Sequence, residues 1–370
     1  MVGTRRNYES DQCIKNHILK ERLRKLKIFF TAEYSKEELK PLYELGDVVI
    51  DGWALGLPKI PEQELMEKTK DADIIIVSYD DITRKVIENA PNLKLIACTR
   101  ATPVNVDMAA AKERSIPVIY TPGRNSDSAA EFTIGLMLSV ARNIPMAYKA
   151  LKEKKYTGDP NSSKQTKEGL KVDMIWDMKA DSPYMVFKGT QLKGKTLGIL
   201  GYGSIGRRVG KIARAMGMSL LIYDPFVCPV DIGEVGVSKV EKLEDLMKNA
   251  DFVTCHMKVT PETTGIVSKA MIALMKPTAY FINSSRGAIL DEAAMIEALR
   301  EKRIAGAAFD VYANEPISRD HPYVSELDNV VITPHIAGAT DDVLVNHTIQ
   351  VVSDVQRFME GRRLLYQYKY

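Results

Sequence analysis

The sequence predicts two α/β domains, one inserted into the other and each built around a parallel sheet. Its 370 residues exceed what one hydrophobic core usually accommodates. From Leu26 onward, short β-branched runs alternate with amphipathic helical runs. Strands that are separated by helices pair in parallel, because a parallel partner requires a crossover connection. The last helical run, 341–361, has no strand after it, so we expect it to return to the first domain.

The first domain is predicted over 26–124 and 337–370, after a basic N-terminal extension over 1–25. β-branched runs predict its strands, at 27–31, 48–50, 74–77, 93–98 and 118–120. Amphipathic runs predict the helices between them, at 35–45, 61–70, 83–89 and 107–114.

The second domain is predicted over 125–336 and opens with a helix, 126–142, that is apolar on most faces. Residues 156–193 follow without clear periodicity, but they carry Trp176 and Tyr184. They form either a loop or, as the aromatic residues favour, an arm at a subunit interface. Six strands are predicted next, at 196–200, 219–223, 252–256, 279–283, 307–311 and 330–333.

The composition argues against nucleic acid and membrane as partners. The net charge is only +3, with 45% hydrophobic residues. Neither a run of about 18 apolar residues nor the apolar core of a secretory signal is present. A basic cluster near the N-terminus fits either a nucleic-acid arm or a solvated helical extension, and we favour the extension. Its members are Arg5, Arg6, Lys15, Lys20, Arg22, Arg24, Lys25 and Lys27.

The four cysteines predict neither disulfides nor a metal site. Cys13, Cys98, Cys228 and Cys255 have no regular spacing, and Cys98 and Cys255 lie inside apolar runs. A free cysteine in such a run behaves as a small buried hydrophobe. We therefore expect reduced thiols, a cytoplasmic location and no bound metal.

A glycine-rich turn indicates dinucleotide binding. An apolar strand leads into Gly201-Tyr202-Gly203-Ser204-Ile205-Gly206, and a helix follows. Gly201 permits the turn, Gly203 lets the backbone approach a pyrophosphate, and Gly206 lets the helix pack on the strand. The N–H groups of Ser204 and Ile205 would face the diphosphate.

The next strand ends in Asp224, 18 residues beyond Gly206. A carboxylate there would bind the ribose hydroxyls and repel a 2′-phosphate, which favours NAD over NADP. The alternative is that Asp224 only caps a turn at the strand end.

Polar residues also follow three later strands. Arg286, Glu315 and His335 come after the apolar runs 279–283, 307–311 and 330–333. The carboxyl ends of parallel strands line the ligand crevice, so the three side chains can converge. Each of them alone could instead be structural: a buried histidine, a loop acid and a surface cation.

Together with the glycine-rich turn, these segments resemble the D-isomer-specific 2-hydroxyacid dehydrogenase family, which includes the phosphoglycerate dehydrogenases. The resemblance covers nearly the whole chain from Leu26 and includes spacings of 29 residues from Arg286 to Glu315 and 20 from Glu315 to His335. It implies Rossmann-like and flavodoxin-like domains, with the NAD-binding domain inserted into a discontinuous substrate domain. It also implies reversible hydride transfer between NAD(H) and a 2-hydroxy or 2-keto acid, by homodimers or homotetramers.

The resemblance assigns catalytic roles to the three residues. Arg286 would hold the substrate carboxylate and polarise the reacting oxygen, His335 would be the acid–base group, and Glu315 would pair with His335. Physical chemistry supports these roles. Ketone reduction places negative charge on oxygen, where a proton donor and a fixed cation are both useful. A carboxylate stabilises the imidazolium, and arginine binds a carboxylate through two hydrogen bonds.

Further cofactor residues follow from the resemblance alone. Asp310 would hold the nicotinamide carboxamide, with the remaining contacts coming from Ser284, Ser285, Arg286, His335, Gly338, His256 and Thr260. Lys258 stands where the family usually has proline, so the loop that contains His256 and Thr260 departs from the family's pattern.

The substrate loop departs from the family. Relatives have a glycine-rich stretch before Asn105, but this chain has Arg100-Ala101-Thr102-Pro103, and Pro103 lacks an N–H donor. Arg100 predicts a substrate with a second anionic or polyol group, phosphorylated or sugar-derived and similar to 3-phosphoglycerate, unless it is only a salt-bridge partner. Ser78, Tyr79, Ala101, Thr102 and Arg286 would complete the substrate site.

Two other functions remain open at this point: a non-catalytic NAD-sensing protein similar to corepressors, and a hydrolase that uses NAD on the same fold. The chain ends 35 residues after His335, so we expect no C-terminal regulatory domain of the kind found in longer phosphoglycerate dehydrogenases.

Overall fold

The structure, a computed structural model, describes residues 25–157, 179–232 and 235–369. It divides into two compact units, one formed by the chain up to Asn125 together with Thr340 onward, and the other by Ser126–Ala339. The sequence-based assignment of residue 125 to the second domain was therefore wrong, as was that of 337–339 to the first. Residues 337–339 stay with the second unit, where the N–H of Ala337 donates to the buried carboxylate of Asp310 at 2.8 Å.

The first unit contains a parallel sheet of five strands in the order β2-β1-β3-β4-β5. Its strands are β1 (Leu26–Phe30), β2 (Gly46–Ile50), β3 (Ile74–Val77), β4 (Leu95–Cys98) and β5 (Val118–Tyr120). Its helices are α1 (Lys36–Leu45), α2 (Glu62–Thr69), α3 (Arg84–Asn89), α4 (Met108–Glu113) and α13 (Asp341–Met359). The strand order reverses beside β1 and β3, where sheets of this kind form a crevice at the carboxyl ends.

Both faces of this sheet are covered by apolar side chains. All four residues of β3 are buried, as is typical of a parallel strand with helices on both sides. On one face, Val351 and Val355 of α13 share a core with Leu39 and Leu42 of α1. The helix at the end of the chain is therefore part of the first unit.

The second unit contains seven parallel strands in the order β12-β11-β10-β9-β6-β7-β8. They are β6 (Thr196–Leu200), β7 (Ser219–Tyr223), β8 (Val237–Lys239), β9 (Phe252–Cys255), β10 (Tyr280–Asn283), β11 (Gly306–Phe309) and β12 (Val330–Ile332). The prediction of six strands was wrong by one. β8 has three residues, none of them buried, and pairs only with β7 at the sheet edge, so it lacks the apolar run that identifies a buried strand.

The second unit has two helices, Ile144–Lys152 and Pro183–Val186, in stretches where the sequence analysis predicted no helix. In chain order the helices of this unit are α5 (Ser126–Ala141), α6 (Ile144–Lys152), α7 (Pro183–Val186), α8 (Ser204–Ala215), α9 (Leu243–Asn249), α10 (Lys269–Ala273), α11 (Glu292–Arg300) and α12 (Pro322–Ser325). Within 156–193, Tyr156 packs edge-on against Phe187, with ring centroids 5.7 Å apart. Residues 158–178, with Trp176, lie outside the described residues, as does the basic extension up to residue 24.

The predicted fold class, two α/β units with parallel sheets, is confirmed. None of the helices in the described ranges combines the length and apolarity needed to cross a bilayer.

Candidate active site

Three neighbouring strands of the second unit carry the predicted catalytic residues beyond their carboxyl ends. β10, β11 and β12 are adjacent in the sheet, and Arg286, Glu315 and His335 lie in the segments that follow them. The parallel register places these three strand ends along one edge. The side chains are therefore delivered to the same edge of the second unit.

His335 and Glu315 form a hydrogen-bonded pair at this edge. His335 Nδ1 lies 2.6 Å from Glu315 Oε2, and the side chains remain 46% and 36% exposed. The other carboxylate oxygen of Glu315 accepts the N–H of Tyr312 at 3.2 Å. Because Nδ1 is committed to the carboxylate, Nε2 is the ring atom left for exchanging a proton with a substrate.

The backbone at His335 is held in an unusual conformation. Its φ of +58° lies in the left-handed region, which costs an L-residue roughly 1–2 kcal/mol. The turn that contains His335 is held by Asp310, whose carboxylate is fully buried. Asp310 accepts Thr333 Oγ1 at 2.6 Å, Ile336 N at 2.9 Å and Ala337 N at 2.8 Å. These bonds fix the residues on both sides of His335.

The geometry around Asp310 therefore supports a positioning role that the sequence analysis missed. Its contact with the nicotinamide carboxamide stays a prediction. A buried acid directly after an apolar strand was the available signal, because such a carboxylate needs several donors.

Arg286 is placed by a second buried polar residue, Asn283. The side-chain amide of Asn283 donates to the carbonyl of Arg286 at 2.9 Å, and its oxygen accepts both the N–H and the hydroxyl of Ser285, at 3.0 and 2.8 Å. The guanidinium itself is exposed. Asn283 thus fixes the backbone of Arg286. The guanidinium donates through Nη1 to the carbonyl oxygen of Ser285 at 2.6 Å and keeps its other N–H groups for an anion.

Gly287 brings the Arg286 loop close to the Glu315 loop. A Cβ at Gly287 would lie 2.0 Å from the carbonyl oxygen of Tyr312, so only glycine permits this approach. The sequence analysis singled out neither Asn283 nor Gly287. The Gly287 contact joins residues far apart in the chain, and no local pattern reports it.

The glycine-rich turn has the geometry expected for a pyrophosphate site. Gly201 has a φ of +87°, and a Cβ at Gly206 would lie 2.2 Å from the carbonyl oxygen of Gly201. At Gly203 a Cβ would meet no heavy atom within 4 Å. α8 begins at Ser204, so the N–H groups of Ser204 and Ile205 have no acceptor within the helix. Open space beside free N–H donors fits a diphosphate.

Asp224 both closes this turn and presents a carboxylate at the end of β7. Its Oδ2 accepts the N–H of Tyr202 at 2.7 Å, and its Oδ1 accepts that of Phe226 at 2.9 Å. The turn-capping alternative is thus realised, and each oxygen keeps a lone pair for a ribose hydroxyl. The turn and the acid together fit NAD.

The other predicted cofactor residues belong to the same unit. His256 follows β9, and its Nε2 lies 3.0 Å from Thr254 Oγ1. Burial lowers the pKa of His256 to about 3, which keeps the ring neutral. Ser284 Oγ lies 2.7 Å from Thr133 Oγ1 of α5. Thr260 begins a tight turn, in which its carbonyl oxygen accepts a hydrogen bond from the N–H of Thr264 at 3.0 Å. Gly338 lies in another turn, which is closed by the hydrogen bond from the N–H of Ala339 to the carbonyl oxygen of Ile336 at 2.9 Å.

The predicted substrate residues belong to the first unit, apart from Arg286. Ser78 is buried, whereas Tyr79 is 40% exposed and Ala101 and Thr102 are exposed. The guanidinium carbon of Arg100 lies 5.0 Å from the centre of the Tyr79 ring. None of the carboxylates in the described ranges forms an ion pair with Arg100, so its proposed role as a salt-bridge partner receives no support there.

Cys98, Cys228 and Cys255 are free thiols, and Cys98 and Cys255 are buried. Among the described residues, no group of His, Cys, Asp or Glu side chains is arranged to hold a metal ion.

Comparison with known proteins identifies the family. Residues 134–337 match the family model described as D-isomer specific 2-hydroxyacid dehydrogenase, NAD binding domain. The chain is 39% identical to a D-3-phosphoglycerate dehydrogenase from Methanocaldococcus jannaschii, over 91% of this chain and 58% of the relative. It is 33% identical to a glyoxylate reductase from Thermococcus litoralis, over 91% and 95%.

A solved structure is similar across both units. It is a D-lactate dehydrogenase from Aquifex aeolicus in complex with NAD and lactic acid, 27% identical with a TM-score of 0.64, covering 90% of this chain and 96% of that one. The chain spans about half the length of the phosphoglycerate dehydrogenases that it matches, between 50% and 58%. The chain belongs to the D-isomer-specific 2-hydroxyacid dehydrogenase family and carries that family's NAD-binding domain in its second unit.

Proposed function

We propose that the protein is an NAD-dependent dehydrogenase, an oxidoreductase acting on the CH–OH group of D-2-hydroxy acids. The observation that carries the proposal is the His335–Glu315 pair, whose side-chain atoms lie 2.6 Å apart. The strands that precede His335, Glu315 and Arg286 are neighbours in the sheet, so Arg286 follows a strand end on the same edge. An acid–base group, its carboxylate partner and an anion-binding cation on one edge suit the reversible reduction of a 2-keto acid.

NAD(H), when bound at the glycine-rich turn, supplies the hydride donor or acceptor. The residues of the chain do the remaining work. Nε2 of His335 protonates the developing alkoxide during reduction and takes the hydroxyl proton during oxidation. Glu315 holds Nδ1 and stabilises the imidazolium. Arg286 binds the substrate carboxylate and stabilises the charge on the reacting oxygen.

Replacing Asp224 with alanine should weaken NADH binding about 10- to 100-fold and improve the use of NADPH relative to NADH. The change removes hydrogen bonds to the ribose and the charge that repels a 2′-phosphate. Kd values for both nucleotides, measured by quenching of protein fluorescence, check this. Asp320→Asn is the matched control, because Asp320 is an exposed acid in the same unit. Unchanged nucleotide preference in Asp224→Ala would contradict the assignment.

The proposed activity is tested by following NADH absorbance with glyoxylate, pyruvate, 2-oxoglutarate and phosphohydroxypyruvate. We expect turnover of at least one of these acids. If NADH binds tightly but none of a broad panel of 2-keto acids is reduced, the protein is not a dehydrogenase and NAD sensing becomes the better explanation.

We further propose that the protein is cytoplasmic and forms a homodimer or homotetramer. The three described cysteines are free thiols, which supports a reducing compartment. The surface of α6 supports assembly: Ile144, Tyr148 and Leu151 are between 51% and 65% exposed. They are spaced four and three residues apart, so they form one apolar face.

Tyr148→Glu should convert the assembly into monomers, because it places a charge in the centre of this face. Size-exclusion chromatography with light scattering gives the mass directly. Lys149→Glu, the neighbouring exposed position on α6, serves as the control. If both variants keep the mass of the parent protein, α6 is not the interface.

A further inference from the structure

The backbone and the side chain of Tyr312 bond to two different catalytic segments of the second unit. Tyr312 lies three residues beyond the end of β11 and is only 6% exposed. Its N–H donates to Oε1 of Glu315 at 3.2 Å, and its hydroxyl donates to the carbonyl oxygen of Thr333 at 2.7 Å. Thr333 lies two residues before His335. One buried residue therefore joins the carboxylate of the catalytic pair to the segment that carries the histidine.

The carbonyl oxygen of Thr333 also fixes the backbone of His335. It accepts the N–H of His335 at 3.1 Å, so its two lone pairs take one bond from this N–H and one from the hydroxyl of Tyr312. His335 has a left-handed backbone conformation, with a φ of +58°, which persists only where surrounding bonds hold it. The bond from the Tyr312 hydroxyl therefore acts on the same turn as the buried carboxylate of Asp310.

The main chain of Tyr312 packs against the segment that carries the third catalytic residue. Gly287 has no room for a Cβ, because that atom would overlap the carbonyl group of Tyr312. Arg286 is the residue before Gly287. Tyr312 is thus in contact with the segments of all three catalytic residues, although it belongs to only one of them.

The hydroxyl of Tyr312 is a fixed hydrogen-bond donor. Burial raises the pKa of Tyr312 to about 12, and the charges of Asp310 and Glu315 act in the same direction, which outweighs the opposite effect of the bond to Thr333. The O–H therefore stays protonated at neutral pH. Its partner is a backbone carbonyl, which can only accept a hydrogen bond. These properties suit a residue that positions other groups, and they do not suit one that transfers a proton.

The His335–Glu315 pair needs such support because it is partly exposed. The two side chains are 46% and 36% exposed, and water and side-chain motion weaken an ion pair at the surface. A distance of 2.6 Å between Nδ1 and Oε2 is maintained only if both segments are held in place. Tyr312 supplies a hydrogen bond to each of them.

We propose that Tyr312 is a positioning residue for the acid–base reaction, and that its hydroxyl holds His335 at hydrogen-bonding distance from Glu315. The inference rests on the proposed function, in which His335 exchanges the proton and Glu315 stabilises the imidazolium. The ring of Tyr312 also belongs to the hydrophobic core of the second unit. Phenylalanine keeps that ring, so the contribution of the hydroxyl can be measured by itself.

Tyr312→Phe should lower kcat for the preferred 2-keto acid about 3- to 10-fold, the effect of one lost hydrogen bond on a group that must be accurately placed. KM and the Kd of NADH should stay within a factor of about two, because the hydroxyl acts on the reaction and not on binding. Steady-state kinetics and fluorescence titration measure these constants.

Tyr323→Phe is the matched control. Tyr323 is buried in the same core and stacks on Phe309, with ring centroids 4.5 Å apart. Its hydroxyl has no hydrogen-bond partner within the part of the chain that the structure describes, so this variant should match wild type. Equal losses in the two variants, or full activity in Tyr312→Phe, would overturn the proposal.

A double-mutant cycle shows whether Tyr312 acts through the catalytic pair. Glu315→Gln removes the carboxylate that the pair requires, so adding Tyr312→Phe to it should lower kcat by less than about twofold further. A hydroxyl that only stabilised the fold would lower kcat by the same factor in both backgrounds. That outcome would rule out a positioning role.

Nitrogen NMR of the His335 ring separates this inference from the proposed function. With isotope-labelled histidine, the shifts of both ring nitrogens give the populations of the two neutral tautomers, and the spectrum of His335→Gln identifies the signals. Glu315 favours the tautomer with the proton on Nδ1, so wild type should show mainly that form. Tyr312→Phe should move the tautomer ratio about 3- to 10-fold towards the Nε2–H form.

The two assignments can fail separately. If no acid is turned over but the tautomer ratio changes in Tyr312→Phe, the dehydrogenase assignment fails and the positioning role stands. If wild type turns over a 2-keto acid and the ratio is the same in both proteins, the positioning role fails alone.

Discussion

His335→Gln is expected to lower kcat for 2-keto acid reduction about 1000-fold, because a positioned acid–base group contributes roughly 10²- to 10⁴-fold. Glutamine occupies a similar volume but neither gains nor loses a proton. Steady-state rates of NADH oxidation measure the effect. The Kd of NADH should stay within a factor of about three, because the substitution leaves the glycine-rich turn intact.

The chain offers a matched control in His321. This histidine is in the same unit, its Nε2 lies 3.5 Å from Glu292 Oε2, and it caps α12 through Tyr323 N. His321→Gln removes another His–Glu pair of the same unit, one that the proposed mechanism does not use, so its kcat should be close to wild type. If the two variants lose activity to the same extent, the loss comes from damage to the fold and His335 is not the acid–base group.

Arg286→Lys should lower kcat/KM about 100- to 1000-fold, the range found when a donor that stabilises a developing oxyanion is removed. Lysine keeps the charge but not the planar fork that binds a carboxylate through two hydrogen bonds. Steady-state kinetics with the preferred acid should show both a raised KM and a lowered kcat. Asn283 fixes the backbone at this position, so the substitution should leave the loop in place.

Arg300→Lys is the comparison for this second prediction. Arg300 is exposed on α11 and pairs with Glu326, and its replacement should cost little because surface ion pairs contribute little. A loss of less than tenfold in Arg286→Lys would mean that charge alone suffices at this position, and the two-pronged binding of the carboxylate would have to be abandoned.

Most of the fold was predictable because its strands are buried on both faces. A run such as Ile74–Val77, fully buried in the structure, leaves a continuous apolar signature between helical segments. The glycine-rich turn and the polar residues after β10, β11 and β12 were predictable for the same reason, since they interrupt apolar runs. The adjacency of those strands then follows from parallel topology.

The features that the sequence analysis did not predict depend on contacts between residues that are far apart in the chain. β8 is short and partly exposed, so it has no clear period. The left-handed backbone conformation of His335 lies between residues that hydrogen-bond the buried carboxylate of Asp310. The sequence analysis had assigned Asp310 only to the cofactor. Arg124 and His347 are 223 residues apart, and neither stands in a motif. Only the packing of α13 in the first unit brings them together.

The central claim is that the strand-end residues of the second unit serve hydride transfer to a 2-keto acid. Incubation of the protein with NADH deuterated at C4, on the face used for transfer, and a 2-keto acid tests it directly. Proton NMR of the product should show deuterium at C2 of a single enantiomer, the D-2-hydroxy acid, and this label should be lost in His335→Gln on the same timescale. Recovery of the 2-keto acid without reduction, together with protein-bound NADH that has kept its deuterium, would contradict the account.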